Sequence, residues 1–266
     1  MTESDEDACL MLHPSAIPLH YQLKELFVEK INSGEWPVGA LIPTEAALCA
    51  VYAVSRGPVR QAIDQLVREG LLCRKQGKGT WVLPPKIERS LGRLYSFTDL
   101  IVQQGVLPAA QILSFERVAA ARSVARTLAL SEGAPVYKIV RLRLAGTEPL
   151  VLESVFVPAV LCPRLTVADV ENSPLYTLLE KQQGLPLVRA RQYFEAVSAD
   201  PFEAHLLHIT VGAPVLLLQN ITYQAGDHPV VLSKALLRGD RLRYYVDLPA
   251  EISKIAVPSN SPVTEW

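Results

Sequence analysis

The chain has 266 residues, of which 49% are hydrophobic and 20% charged, a length and composition sufficient for two domains with buried cores. No apolar stretch approaches the ~18 residues needed to cross a bilayer. The acidic first seven residues are the opposite of a signal peptide's basic start. These properties exclude a chain that is disordered throughout and a membrane-embedded protein, and we expect a chain that acts in the cytoplasm.

Residues 1–15 have no apolar periodicity and predict a flexible tail. An apolar stripe at helical spacing then predicts a helix over residues 19–33, which Gly34 and Pro37 end. Thr44 is placed to cap a second, short helix over residues 45–50.

The third predicted helix carries the most information. Ser55 is its expected N-cap, Pro58 falls in its first turn and Gly70 ends it. Arg56 and Arg60 are four residues apart, so they share a face near the N-terminal end of this helix.

Two short strands are predicted next, over residues 71–75 and 80–83, with a glycine-containing turn between them. Three helices followed by a hairpin is the order of a winged helix-turn-helix. Residues 54–80 hold six basic side chains and two acidic ones, a local charge of +4 that suits phosphate attraction despite the overall charge of −1.

Pro84 and Pro85 predict a domain boundary, and residues 86–93 a basic linker. Beyond it the pattern changes to strand-like runs with helical stretches between some of them. Adjacent strands separated by turn signals favour an antiparallel sheet with packed helices, and therefore an α+β fold class. The predicted strands cover residues 111–117, 136–144, 150–157, 188–198, 215–223 and 230–237, and the predicted helices residues 120–128, 175–183 and 201–208.

Five ordered sequence blocks within residues 18–83 resemble the GntR family of bacterial transcription regulators. The blocks are Pro-Leu-His-Tyr-Gln-Leu at 18–23, Ser-Gly-Glu-Trp-Pro-Val-Gly at 33–39, Leu-Ile-Pro-Thr-Glu at 41–45, Val-Ser-Arg-Gly-Pro-Val-Arg-Gln-Ala at 54–62 and Gln-Gly-Lys-Gly-Thr at 76–80. The resemblance implies that the third helix enters the major groove of DNA and that the hairpin contacts the minor groove or phosphates.

The DNA-binding residues that this resemblance implies lie in the second helix, the third helix and the hairpin tip. Arginine suits the task because its rigid fork of donors matches guanine O6 and N7 or two phosphate oxygens. The chain departs from the family at Ala46 and Ala47, where an arginine and a glutamate are usual, so its operator sequence is expected to differ. The implied residues are Thr44, Glu45, Ser55, Arg56, Gly57, Pro58, Arg60, Gln76, Gly77, Lys78 and Gly79.

Residues 95–248 resemble the UTRA effector-binding domain of the HutC branch of that family, which has a chorismate-lyase-like α+β fold. The matching pieces are Ser-Phe-Thr at 96–98, Arg-Leu-Arg at 141–143, Glu-Pro-Leu at 148–150 with Glu153, Leu-Tyr at 175–176 and Arg-Gly-Asp-Arg at 238–241. We therefore expect a tail over 1–15, a DNA-binding domain over 16–83, a linker over 84–94, an effector domain over 95–248 and a C-terminal tail over 249–266.

Arg141 and Arg143 are two residues apart on a predicted strand, so they point to one face of the sheet. Two adjacent guanidiniums repel each other unless a negative group lies between them. A ligand anion or Glu153 can supply that charge, and an internal Arg–Glu salt bridge on an exposed sheet face stays open as the alternative. The expected effector site comprises Ser96, Phe97, Thr98, Arg141, Arg143, Glu153, Ser173, Tyr176, Tyr223, Val231 and Leu237.

The chain departs from sugar-phosphate-binding relatives at Pro174, which replaces a serine, and at Val231 and Leu237, which replace polar residues. Aliphatic groups leave ligand hydroxyls unpaired, so we expect a small phosphate- or carboxylate-bearing metabolite and not specifically an amino-sugar phosphate.

The expected function is that of a transcription regulator, in the first place a repressor, that forms a homodimer on a palindromic operator. We expect no cofactor and no metal. Two alternatives stay open: a lyase-like enzyme, although no catalytic motif supports it, and a metal-responsive regulator using His205 and His208. The four cysteines (Cys9, Cys49, Cys73 and Cys162) are far apart and are expected to be free thiols.

Overall fold

The computed structural model describes residues 16–75, 77–91, 97–182 and 184–248. The two predicted tails, Gln76 and Ser96 lie outside the described residues, as does Cys9. The other three cysteines are free thiols.

The N-terminal part of the described chain is a winged helix-turn-helix. Leu23 and Phe27 on the first helix and Leu66 on the third are fully buried, and the ring of Phe27 contacts that of Trp36 with centroids 5.3 Å apart. The apolar stripes found in the sequence therefore form one core. The elements are α1 (Leu19–Asn32), α2 (Glu45–Val51), α3 (Arg56–Arg68), β1 (Leu72–Lys75) and β2 (Gly79–Val82).

The two predicted helix caps differ in the structure. Thr44 caps α2 as expected, because its hydroxyl accepts a hydrogen bond from the Ala47 amide at 3.2 Å. Ser55 occupies the N-cap position of α3, but its side chain makes no capping bond. The physical reason is Pro58: it stands at the third helical position, where an N-cap hydroxyl finds its amide donor, and proline has none.

The predicted linker contains a strand, β3 (Ile87–Ser90), which pairs in parallel with β10 (Leu242–Tyr245) near the end of the described chain. The sequence analysis did not predict this strand of four residues within the linker. The pairing partner lies some 155 residues away in the chain, since Arg243 stands opposite Glu88. No local sequence pattern predicts such a contact.

A six-stranded antiparallel sheet forms the C-terminal part, in the order β4-β5-β6-β9-β8-β7. The predicted α+β fold class is confirmed, and all six predicted strands are present with longer bounds. The strands are β4 (Pro108–Ala119), β5 (Pro135–Ala145), β6 (Glu148–Pro158), β7 (Leu187–Ser198), β8 (Pro214–Gln224) and β9 (His228–Arg238).

Short helices cover both faces of this sheet. Phe97 and Thr98 begin a helix that the sequence analysis did not predict, and a second unpredicted helix follows β6. The helices are α4 (Phe97–Gln103), α5 (Arg122–Thr127), α6 (Val167–Asn172), α7 (Leu175–Thr177), which continues into a wider turn over Leu178–Gln182, and α8 (Pro201–Leu207).

The end of α3 packs directly against the turn between β9 and β10. Gly70 has a φ of +75°, and a Cβ at this position would collide with the backbone carbonyl of Asp240. Around this contact, the Lys86 ammonium donates to the Gly239 carbonyl at 2.7 Å and the Arg241 guanidinium to the Pro84 carbonyl at 3.0 Å. The winged helix-turn-helix and the sheet domain thus meet at a glycine.

This contact predicts different costs for alanine at two helix-ending glycines. Gly34 ends α1 with a φ of +79°, close to that of Gly70, but a Cβ there meets nothing within 4 Å. We expect Gly70→Ala to destabilise the chain by roughly 1–3 kcal/mol more than Gly34→Ala, since only the former adds a steric clash. Urea unfolding followed by tryptophan fluorescence measures the difference. Equal losses for the two variants would show that residue 70 does not contact the sheet domain.

Candidate functional site

The N-terminal end of α3 presents two arginines to solvent. Arg56 and Arg60 are both exposed, the Arg60 side chain to 67%. The core stripe of the helix, which includes Val59, Ala62 and Ile63, lies on the opposite side and is buried. Ser55 and Gly57 flank Arg56 and are exposed too, so the loop before α3 and its first turn form one accessible polar surface.

Acidic side chains form ion pairs with some of the neighbouring basic side chains. The Glu45 carboxylate lies 2.9 Å from the Arg74 guanidinium and 3.9 Å from that of Arg60, and Asp64 lies 2.9 Å from Arg74. Glu45 thereby fixes the position of Arg74 on the wing relative to α2. Among the described residues, no carboxylate lies within salt-bridge distance of Arg56 or Lys78.

The hairpin tip is shaped by glycines. Gly77 and Gly79 have φ angles of +70° and +107°, a left-handed conformation that favours glycine. Lys78 between them is exposed. The described part of the predicted DNA surface therefore combines three accessible cations with backbone that can closely approach a phosphate.

A cleft opens on one face of the six-stranded sheet. It encloses about 60 Å³ and is lined by strands β3, β5, β6, β7, β8 and β9, by the start of α4 and by α7. At ~15 Å³ for each water, such a space holds about four waters or one compact ionic group. The lining residues are Arg89, Phe97, Arg141, Arg143, Val151, Glu153, Val155, Pro174, Leu175, Tyr176, Gln192, Leu218, Asn220, Val231, Ser233, Ala235 and Leu237.

Three charged side chains form the centre of this cleft. The Glu153 carboxylate lies 2.8 Å from the Arg141 guanidinium and 3.7 Å from that of Arg143. Arg143 also donates to the Thr98 hydroxyl at 2.8 Å, and its guanidinium lies 4.7 Å from the centre of the Phe97 ring. The internal Arg–Glu salt bridge of the alternative is therefore present, but the two arginines are 5% and 7% exposed, so it is buried and does not lie on an exposed sheet face.

The ionisation of this cluster follows from burial and from its neighbours. Burial, followed by the charge of Arg141, lowers the pKa of Arg143 to about 10, so the group stays protonated at neutral pH. Burial raises the pKa of Glu153, but the two guanidiniums together outweigh burial and hold that pKa below its ordinary value. The cluster therefore carries two positive charges and one negative charge.

The cleft also contains buried polar atoms that lack a hydrogen-bond partner. Asn220 donates to the Tyr176 hydroxyl at 2.8 Å and to the Thr222 hydroxyl at 3.0 Å, while its own side-chain oxygen accepts nothing. The Nε donor of Arg143 is likewise buried and unpaired. Unsatisfied buried groups cost free energy, and both residues line the cleft.

The structure separates the predicted effector residues into three groups. Phe97, Arg141, Arg143, Glu153, Tyr176, Val231 and Leu237 line the cleft, and Thr98 lies behind Arg143. Ser173 and Tyr223 do not line it, because Ser173 ends α6 and Tyr223 lies on the other side of β8, where the Arg189 guanidinium stacks on its ring at 3.6 Å. Ser96 lies outside the described residues.

The sequence analysis missed four polar residues of the cleft: Arg89, Gln192, Asn220 and Ser233. Strand alternation was a usable signal for Ser233, which stands opposite Val155 on β6, two residues beyond Glu153. No comparable signal existed for Arg89, because it reaches the cleft only through the pairing of β3 with β10.

Two further findings concern metal ions and membranes. In the described ranges, no group of three or more His, Cys, Asp or Glu side chains is arranged to hold a metal ion. No described helix is long and apolar enough to span a membrane.

Comparison with known proteins agrees with this architecture. Residues 19–82 match the bacterial regulatory proteins of the gntR family, and residues 103–243 match the UTRA domain. The chain is 34% identical over 235 residues to the HTH-type transcriptional repressor NagR of Bacillus subtilis, covering 88% of this chain and 96% of NagR.

Two other relatives extend the comparison. The histidine utilization repressor of Pseudomonas putida is 30% identical over 226 residues, covering 85% of this chain and 90% of that protein. The crystal structure of PhnF from Mycobacterium smegmatis superposes with a TM-score of 0.59 at 24% identity and covers 88% of this chain and 100% of PhnF, which shows a shared fold.

A winged helix-turn-helix joined to a sheet domain of this kind defines a DNA-binding transcription regulator and not an enzyme. The chain belongs to the GntR family of bacterial regulators and carries the UTRA domain of its HutC-type members.

Glu153 is expected to stabilise the fold in a pH-dependent way. Glu153→Gln leaves two buried guanidiniums without their carboxylate, at an expected cost of about 3 kcal/mol in the free energy of unfolding at neutral pH. Because its folded pKa is depressed, ionised Glu153 contributes stability above the ordinary glutamate pKa of about 4.3 and loses it as the pH falls through the folded value. The gap between wild type and variant should therefore narrow in acid.

Denaturant unfolding at a series of pH values measures this gap. Glu35→Gln is the matched control, because Glu35 forms an exposed ion pair with Lys30 at 2.6 Å and should contribute at most ~1 kcal/mol. A gap for Glu153→Gln that stays constant from neutral to acidic pH would contradict the depressed pKa.

Proposed function

We propose that the protein is a repressor that binds a palindromic operator as a homodimer and whose operator affinity is set by a small anionic metabolite in the cleft. The observation that carries the effector assignment is the charge imbalance of two buried arginines against one glutamate, with the Nε donor of Arg143 unpaired. Relatives named as repressors support repression as the direction of regulation.

DNA binding is assigned to the surface around the start of α3 and the hairpin tip. Arg56 and Arg60 would read bases or phosphates in the major groove, and Lys78 would contact phosphate. A single small winged domain contacts few bases, so two of them related by a twofold axis reach adequate specificity. A regulator of this kind acts where the chromosome lies, and we therefore place it in the cytoplasm.

The two parts of the chain have different roles in this proposal. We assign DNA binding to residues 16–83, the connection to residues 84–94 and effector binding to residues 95–248. In the cleft, the arginines would hold the anionic group through charge-assisted hydrogen bonds. Val231 and Leu237, both nearly fully buried, would contact an apolar part of the ligand. The ligand would change operator affinity because it binds one arrangement of the DNA-binding parts more tightly than the other.

Arg56→Ala and Arg60→Ala should each weaken specific operator binding while the fold survives, since both side chains are exposed. Loss of a bidentate base contact costs ~1–3 kcal/mol in each half-site. Gel shift against an operator selected from random duplexes measures the loss. Arg68→Ala is the control, because Arg68 is exposed at the other end of α3. If both variants bind the operator as tightly as the control, α3 is not part of the DNA interface.

Lys78→Ala should weaken binding to all duplexes about equally and reduce the dependence of affinity on salt concentration by about one phosphate contact per wing. Fluorescence anisotropy over a range of salt concentrations gives the slope. A variant that changes operator choice would instead show that Lys78 reads bases.

Arg143→Gln should bind operator with wild-type affinity but lose its response to the effector. Glu153 keeps Arg141 as a partner in this variant, so the domain should still fold. The measurement uses a phosphate- or carboxylate-bearing metabolite that releases the wild-type protein from its operator, with Arg126→Ala on the exposed surface of α5 as control. A full response in Arg143→Gln would place the sensing site elsewhere.

A further inference from the structure

The two strands of the wing, β1 and β2, are attached to the rest of the winged helix-turn-helix in different ways. Strand β2 is held through its backbone, because the Thr80 carbonyl accepts a hydrogen bond from the Ile42 amide at 2.9 Å. The Val82 amide likewise donates to the Ala40 carbonyl at 3.0 Å. Among the described strands, β1 pairs only with β2, so its position relative to the helices depends on side chains.

Arg74 joins β1 to two helices by ion pairs. Because successive side chains of a strand point to opposite faces, Arg74 lies on the same face as Leu72, which is buried in the core. One terminal nitrogen of its guanidinium donates to Asp64 of α3 and the other to Glu45 of α2, both at 2.9 Å. We call Glu45, Asp64 and Arg74 the wing bracket.

The wing bracket also lies next to an arginine of the proposed DNA surface. Glu45 is the charged residue of α2, whose sequence is otherwise apolar. Its carboxylate lies 3.9 Å from the Arg60 guanidinium as well as 2.9 Å from that of Arg74. The same carboxylate therefore faces the start of α3 on one side and the wing on the other.

The wing bracket constrains geometry more than it stabilises the fold. Its three side chains are between 32% and 47% exposed, and ion pairs with such access to solvent contribute little to the free energy of unfolding. The guanidinium is nevertheless a rigid fork of donors. Two carboxylates on different helices therefore define one preferred position for it, and with it for β1.

We propose that Arg74 is a positioning residue for operator binding. By holding β1 against α2 and α3, it fixes where Lys78 at the hairpin tip lies relative to Arg56 and Arg60. The wing and α3 then meet one duplex at the same time. Arg74 acts through Lys78 and not by its own contact with DNA, since its terminal nitrogens donate to carboxylates. This inference rests on the proposed function, because it uses the same DNA surface.

Asp64→Asn separates positioning from charge by the direction of its effect. Removal of a carboxylate makes the surface more positive, so charge alone predicts tighter binding to any duplex. Loss of one half of the wing bracket predicts weaker operator binding instead, by roughly threefold or more. Fluorescence anisotropy with the full-length protein and an operator selected from random duplexes measures the affinity. An operator affinity equal to or above that of the wild type would overturn the inference.

Arg74→Gln should weaken operator binding by roughly tenfold and lower its salt dependence by about one phosphate contact per wing. It should unfold in urea near the wild-type midpoint. Lys75→Gln is the matched control, because Lys75 is the next residue of β1 and lies on the opposite face, 5.9 Å from the centre of the Trp81 ring. Equal losses of operator affinity for Arg74→Gln and Lys75→Gln would reduce Arg74 to general electrostatics and overturn the inference.

A double-mutant cycle between Arg74→Gln and Lys78→Ala tests the route by which Arg74 acts. If Arg74 places Lys78, then Lys78→Ala should cost no further operator affinity in the Arg74→Gln background. Additive losses would show that Arg74 contributes to DNA binding independently of Lys78, and would overturn the inference. No loss for Lys78→Ala in the wild-type background would overturn both the inference and the proposed wing contact.

Arg56→Ala and Arg60→Ala separate this inference from the proposed function. Weak operator binding by these two variants, together with wild-type binding by Arg74→Gln and Asp64→Asn, would overturn the role of Arg74 and leave the DNA surface in place. Wild-type operator binding by all four variants would overturn both.

Discussion

Arg141, Arg143 and Glu153 place an unequal set of charges inside the face of an antiparallel sheet, and much of the surrounding structure serves to hold them. Arg141 and Arg143 lie two residues apart on β5, and Glu153 stands opposite Arg141 on β6. Strand alternation therefore forces all three onto one face. Such a cluster contributes little net stability, because desolvation offsets attraction, and its excess positive charge is the observation from which we propose anion binding.

The position of the cleft explains how binding at the sheet can reach the DNA-binding part. The wall that Arg89 forms belongs to the segment between the winged domain and the sheet, and its partner strand β10 follows directly after the turn that contacts Gly70. Arg238 and Arg241 on either side of that turn both pair with Glu148, at 3.2 and 2.9 Å. Cleft, linker and domain contact are thus neighbours in the fold, although their residues are far apart in the chain.

Elements with local signals could be predicted from the sequence. The helix stripes, the glycine turns and the alternating strands each depend on residues close together in the chain, and the structure has them within a few positions. Some failures were local, since the short helices Phe97–Gln103 and Val167–Asn172 were missed, and others arose where a distant partner decides the outcome. The strand at Ile87–Ser90 exists because of Leu242–Tyr245, and Arg89 enters the cleft for the same reason. The missing cap bond of Ser55 is different, since Pro58 was visible in the sequence.

The central claim of this account is that anion occupancy of the arginine cleft and operator binding are thermodynamically coupled. The most direct test measures phosphate affinity of the full-length protein, free and saturated with operator, at matched ionic strength. Coupling requires the two phosphate affinities to differ by the factor by which phosphate changes operator affinity. The account predicts weaker phosphate binding in the operator complex. Equal phosphate affinity in the two states would contradict it.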